Sequence, residues 1–156
     1  GAGSFQGVSV RINRHGFRAV LRARFPACRM VGSLESGEDQ ERAGEVVFRA
    51  LRTHPQARGL YNVSAGNLAI ARAIRALGLA HKIVMITHEI TPERRQLLRK
   101  GVLDAVIDQN PKLEAQCAIE VLARHFKRTA DGATLEHQTP FQIFIRENCP
   151  TVDPAG

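Results

Sequence analysis

Apolar positions along this chain alternate between two periods, and the alternation predicts its elements. Ala43, Val46, Val47, Ala50 and Leu51 fall at the spacing of an amphipathic helix that ends before Pro55. Ahead of them, Ser36-Gly37-Glu38-Asp39 reads as a capping box with Asp in place of Glu. "KIVMIT" (82–87) has no polar residue from Ile83 to Ile86, which predicts a parallel strand covered on both faces. "CRMVGSL" (28–34), "RGLYNV" (58–63) and "VLDAVID" (102–108) read as further strands. A helix over 66–77 sets Ile70, Ala73, Ile74 and Leu77 on one face, and Gly78 stops it. Thr91-Pro92 supplies a cap and a first-turn proline for a helix through Lys100, closed by Gly101.

Both ends of the chain extend the pattern. Residues 8–25 read as a helix, with Val10, Phe17, Val20 and Leu21 on one side; Arg11, Arg18 and Arg22 lie opposite, with Arg14 close by. Gly16 weakens that helix and Pro26 ends it. Pro111 opens a long helix to about residue 127, with Leu113, Cys117, Ala118, Val121, Leu122 and His125 on one face. After a polar loop (129–139), "FQIFIRE" (141–147) alternates Phe141, Ile143 and Ile145 inward with Gln142, Phe144 and Arg146 outward, as an edge strand would. The order is a helix, four strand–helix units and a strand. That order predicts an α/β fold: a mostly parallel sheet with helices on both faces, three layers in all.

Composition narrows the class. The chain has 156 residues, 44% of them hydrophobic, enough for one domain with a core. No apolar run reaches the roughly 18 residues of a membrane span, and the first residues hold no secretory apolar region. Cys28, Cys117 and Cys149 match no zinc spacing and read as free, buried thiols, which suits a reducing, cytoplasmic compartment. The net charge of +7 is spread over several helices, and aromatics are 5% with no Trp, so a base-stacking nucleic-acid surface is not expected.

In an open parallel sheet, ligands bind beyond the carboxyl ends of the strands. Here those ends carry Glu35 and Ser36; Ser64 to Asn67; Thr87, His88 and Glu89; and Asp108, Gln109 and Asn110. Amides, carboxylates, hydroxyls and an imidazole together suit a sugar or polyol, whose hydroxyls need both donors and acceptors. Local roles compete for these residues. Ser64 and Asn67 can cap a helix, Asp108 and Asn110 can form Asx-turns, and His88 with Glu89 can be a solvated pair. Gln109 is a poor cap and therefore reads as a contact. The arginine stripe reads as a solvated face, of which Arg11 is best placed to reach a ligand. No nucleophile elbow, P-loop, dinucleotide glycine series or metal-ligand set is present, so neither an enzyme nor a cofactor or metal protein is expected.

"GLYNVSAGNLAIARAIRALG", "IVMITHEITPERRQLLRKGVLDAVIDQNPKLEAQCAIEVL" and "PFQIFIREN" resemble the effector-binding domain of lactose-repressor (LacI) family transcriptional regulators. They also resemble the related type I periplasmic sugar-binding proteins, and "VRINRHGF" resembles the family's arginine-bearing helix before a Gly-Phe pair. The resemblance implies two Rossmann-like lobes with a small effector, a sugar or polyol, in the cleft between them. It implies that 1–148 is the C-terminal lobe and 149–156 a tail, with the DNA-binding headpiece and most of the first lobe absent. Carried over by position, Arg11 or Arg14 stands at the sugar-contacting arginine, Asn67 in the polar slot after a strand, Glu89 at the hydroxyl-binding acid and Gln109 at the glutamine closing the cleft. Ser64 and His88 complete the expected rim. The resemblance further implies a cytoplasmic homodimer that reaches operator DNA only through the absent headpiece and has no membrane partner. The alternative is a periplasmic sugar-binding protein of a transporter.

Overall fold

A computed structural model of the chain describes residues 5–10, 14–126 and 139–151. Strands β1 (Phe5–Val10), β2 (Cys28–Leu34), β3 (Ala57–Asn62), β4 (Val84–His88), β5 (Ala105–Asp108) and β6 (Gln142–Phe144) form one sheet in the order β2-β1-β3-β4-β5-β6. The first five run parallel, and β6 pairs antiparallel with β5 at the edge. Helices α1 (Arg14–Arg24), α2 (Gln40–Thr53), α3 (Asn67–Ala76), α4 (Pro92–Arg99) and α5 (Pro111–His125) connect them. The α/β class and the mostly parallel sheet are those read from the sequence. Among the described residues no helix is long and apolar enough to cross a membrane.

One face of the sheet holds the core. Leu60 and Met85 are register partners, as are Val106 and Phe144. Against them pack Ala43, Val47 and Leu51 of α2, Ile70 and Ile74 of α3, and Leu97 and Leu98 of α4. Burying each of the Val, Leu, Ile, Met and Phe side chains among them contributes about 1.5–3 kcal/mol. The helix stripe read from Ala43 to Leu51 is thus the side that α2 buries. Gly44 lets α2 and α3 approach closely, since a Cβ there would lie 2.9 Å from the Ala69 carbonyl oxygen. Gly78 and Gly101 follow α3 and α4 with φ of 67° and 65°, the left-handed turn that ends a helix.

The opposite face is less covered. Phe17 of α1 stacks on Tyr61 of β3 there, with ring centroids 5.3 Å apart. Val84 of β4 remains 42% exposed, so this strand is closed on one side rather than on both.

Five other expectations are corrected. The first described element is a strand, and the helix read over 8–25 is described only from Arg14. Val8, Ser9 and Val10 hydrogen-bond to both β2 and β3, and that non-local pairing overrides a helical period. The cap of α2 is Asp39, whose carboxylate accepts from the Arg42 N–H at 2.9 Å; Ser36 lies in the preceding turn, where Gly37 and Glu38 take φ of 65° and 66°. The inward set of the last strand is inverted: Phe144 is 9% exposed and Ile143 51%, while Phe141 and Ile145 are exposed as well. Antiparallel register places Phe144 beside Val106 and so toward the helices that form the core. Finally, α5 buries none of its residues; Ile119, Leu122, Ala123 and Phe126 line an open hollow of about 440 Å³. The three cysteines are free, each half-buried rather than fully buried.

Candidate functional site

The carboxyl ends of β3, β4 and β5 lead into three turns that build one rim. The first is organised by Asn62, the last residue of β3, which is 0% exposed. Its amide Nδ2 donates to the Ser64 carbonyl at 3.1 Å, the Ala65 carbonyl at 3.3 Å and Asn67 Oδ1 at 2.7 Å. Its Oδ1 accepts from the Ser64 N–H at 3.2 Å. An amide placed two residues before a turn in this way substitutes for backbone partners. Gly66 then caps α3 at φ 89°, with no side-chain hydrogen bond to the helix.

The second turn is pinned to β5. The Glu89 N–H donates to the Ile107 carbonyl at 2.8 Å, and the Ile90 N–H to Asp108 Oδ1 at 3.0 Å. These bonds hold Glu89 at φ 59°. Thr91 Oγ1 caps α4 by accepting from the Arg94 N–H at 3.2 Å. The Arg94 guanidinium folds back, donating to the Glu89 carbonyl at 3.0 Å and lying 3.5 Å from Glu89 Oε2. In the third turn Asn110, at φ 54°, caps α5 by accepting from the Leu113 N–H at 3.2 Å. Gln109 stands exposed beside it.

A hollow of about 420 Å³ opens where the amino ends of α2, α3 and α4 meet, lined by Gln40, Gly66, Asn67, Thr91, Glu93 and Arg94 among others. Helix amino ends carry unpaired N–H groups and partial positive charge, so the hollow offers donors as well as the Glu93 carboxylate.

His88 ends β4, where its Nε2 meets the Tyr61 hydroxyl. Burial lowers its pKa below the usual imidazole value; Arg94 acts in the same direction and Glu89 opposes both. Burial also raises Tyr61. A histidine depressed on folding leaves stability intact above the unfolded value of about 6.5 and withdraws it as pH falls through the lower folded value. We expect urea-unfolding free energy to decline between about pH 7 and pH 5, and His88→Gln to flatten that decline. An equal decline in both proteins would assign it to other groups.

The structure therefore gathers Ser64, Asn67, His88, Glu89 and Gln109 at one end of the sheet, though not around a single cavity. Asn67 lines the hollow, Glu89 turns to Arg94, His88 joins Tyr61, and Ser64 is buried in the turn with its Oγ unpartnered among the described residues. Arg11 lies outside the described residues, and Arg14 is placed only as the first residue of α1. Gln40, Tyr61, Asn62 and Arg94 belong to the site's framework and were not anticipated. The signal for Asn62 was an amide closing an apolar run just before a turn. For Arg94 it was a cation in a helix's first turn, five residues after an acid. Among the described residues no group of three or more His, Cys, Asp or Glu side chains could hold a metal ion.

Comparison with solved structures gives the same fold at low identity. GanP, a glucose-galactose binding protein from Geobacillus stearothermophilus, is 19% identical with a TM-score of 0.80, covering 94% of this chain and 55% of that one. An ABC transporter solute-binding protein from Burkholderia graminis C4D1M, in complex with D-arabinose, is 20% identical with a TM-score of 0.81, covering 96% and 56%. A periplasmic solute-binding protein from Actinobacillus succinogenes 130z with bound D-allose is 17% identical with a TM-score of 0.76, covering 94% and 54%. The chain thus spans little more than half the length of each. No curated protein matches the sequence. Residues 3–130 match the family profile described as the periplasmic binding protein domain, and the chain belongs to that family.

Proposed function

We propose that this chain is one lobe of a two-lobe solute-binding domain, and that its rim is half of a cleft for a sugar or related polyol. The observation that carries the reading is the convergence of Asn67, His88, Glu89, Arg94 and Gln109 at the carboxyl ends of adjacent strands. Amide, imidazole, carboxylate and guanidinium groups there offer donors and acceptors in the mixture that hydroxyls need. The role is binding without turnover. The neighbours' names, glucose-galactose binding and complexes with D-arabinose and D-allose, support a sugar as ligand. They also favour a transporter's binding protein as the parent.

The second reading, a LacI-type regulator, is favoured by the three free cysteines, the net charge of +7 and the run "FQIFIREN". In that case the ligand shifts a two-lobe equilibrium in a cytoplasmic homodimer whose DNA-binding headpiece lies outside this chain. The reading frame upstream of residue 1 discriminates: a secretory leader supports the transporter protein, a helix-turn-helix the regulator.

One jaw supplies part of the contacts, so we expect a dissociation constant on the order of 1 mM, about 4 kcal/mol. Titrating the labelled chain with D-arabinose, D-allose and D-galactose, and following amide shifts, should move residues 62–67, 88–94 and 108–110. Shifts elsewhere, or none at about 50 mM sugar, would refute the proposal, and nanomolar binding would refute the half-cleft.

A further inference from the structure

We propose that Tyr61 is a positioning residue that sets the tautomer of His88, so that the imidazole presents Nδ1–H as an uncharged donor at the carboxyl end of β4. The tautomer is argued from the Tyr61–His88 contact and the donor strength of a phenol. Its use toward a sugar oxygen rests on the half-cleft reading above.

Tyr61 pairs in register with Ile86 of β4, and His88 lies two residues beyond Ile86, so the two side chains share one side of the sheet. The phenol oxygen meets His88 Nε2, and the rings stand 5.3 Å apart at 49°. Phe17 of α1 stacks nearly parallel on Tyr61, at 19°, and holds the phenol ring from its other neighbour. Among the described residues the His88 side chain makes no other hydrogen bond, so Nδ1 has no partner there.

One proton lies between the phenol oxygen and Nε2. A phenol is the better donor of the two and a bare imidazole nitrogen the better acceptor. Burial keeps the phenol protonated and the imidazole neutral, which agrees with that direction of donation. Glu89 and Arg94 are the charged groups that act on His88, with opposite effects. With Nε2 accepting, the ring proton resides on Nδ1, the tautomer less favoured by free imidazole side chains in water. A neutral Nδ1–H is suited to a hydroxyl or ring oxygen and adds no charge to the rim.

The test begins without ligand. In the ¹⁵N-histidine-labelled chain at about pH 7.5, two-bond ¹H–¹⁵N correlations report which ring nitrogen is bare; His88→Gln identifies the relevant signals. We expect bare Nε2 and protonated Nδ1 in the wild type. Tyr61→Phe keeps the stacked ring and should shift His88 toward the Nε2–H form. An Nε2–H wild type, or a tautomer unchanged in Tyr61→Phe, overturns the proposal. The wild-type measurement stands even if the variant fails to fold. A second arm titrates D-arabinose into both proteins, with roughly fivefold weaker binding expected in Tyr61→Phe. A tautomer change with unchanged affinity overturns the ligand-facing role of His88 while leaving the Tyr61 effect established. Absence of sugar binding by both proteins instead overturns the half-cleft reading.

Discussion

Gly66→Ala is expected to destabilise the chain by about 3 kcal/mol, lowering the thermal midpoint by roughly 10 °C. Two effects add. Gly66 holds φ 89°, a conformation that costs an L-residue about 1–2 kcal/mol. A Cβ at this position would also lie 2.6 Å from the Ala43 Cβ, 2.8 Å from the Gln40 carbonyl oxygen and 3.2 Å from the Gln40 Cα. Two of those neighbours are backbone of the first turn of α2, which cannot rotate away as a side-chain tip could. Gly37→Ala is the internal control: it has φ 65° but nothing within 4 Å of the added methyl, so only the dihedral effect applies. Equal losses in urea titrations of the two variants would show that the amino ends of α2 and α3 are not pressed together at Gly66. Because Gln40, Gly66 and Asn67 line the same hollow, Gly66→Ala should also weaken sugar-induced shifts there.

The same glycine shows what a sequence can reveal of a site and what it hides. "NVSAGN" is legible as a polar turn between a strand and a helix because apolar period-two and period-3.6 stretches flank it. The repeated strand–helix order follows from such stretches, and with it the end of the sheet at which a ligand sits. What the pattern cannot carry is partnership across the chain. Asn62 satisfies the turn at Ser64 to Asn67 within a few residues, yet Tyr61, its neighbour, is defined by His88 and Phe17, both distant in sequence. Glu89 becomes half of a pair only once Arg94 winds back over it.

The misread elements fail for the same reason. Val8 to Val10 can enter either a helix stripe or a strand, and only bonding to both β2 and β3 selects the strand. The alternation in "FQIFIRE" was real, but its sign depended on which side of β5 carried the core. Helix α5 has apolar residues at helical spacing, yet none of the described elements closes over them. A period reports that a face exists. Burial of that face depends on what the rest of the molecule brings to it.

Asn62→Asp should be the most damaging conservative change in the rim, costing on the order of 4 kcal/mol near neutral pH. The replacement has nearly the same shape. It puts an oxygen where the Nδ2 donor now serves the Ser64 and Ala65 carbonyls and Asn67 Oδ1. A fully buried anion would then face three acceptors, keeping only the bond its other oxygen accepts from the Ser64 N–H. Protonation relieves part of this, since a neutral carboxyl can donate to one of them. The introduced carboxyl should therefore titrate above its unfolded value of about 3.9. A raised carboxyl pKa means that the folded variant takes up its proton before the unfolded chain does. Its deficit relative to wild type is thus complete above the folded pKa and shrinks as pH falls toward the unfolded one. Urea titrations of the two proteins from about pH 8 to pH 4 should show the gap narrowing toward acid, even as His88 lowers the stability of both. Asn62→Leu removes the same hydrogen bonds without adding a titrating group, so its deficit should stay level over that range. A level gap for Asn62→Asp, or a loss below about 1 kcal/mol, would mean that the Asn62 amide does not hold the turn on which the rim depends.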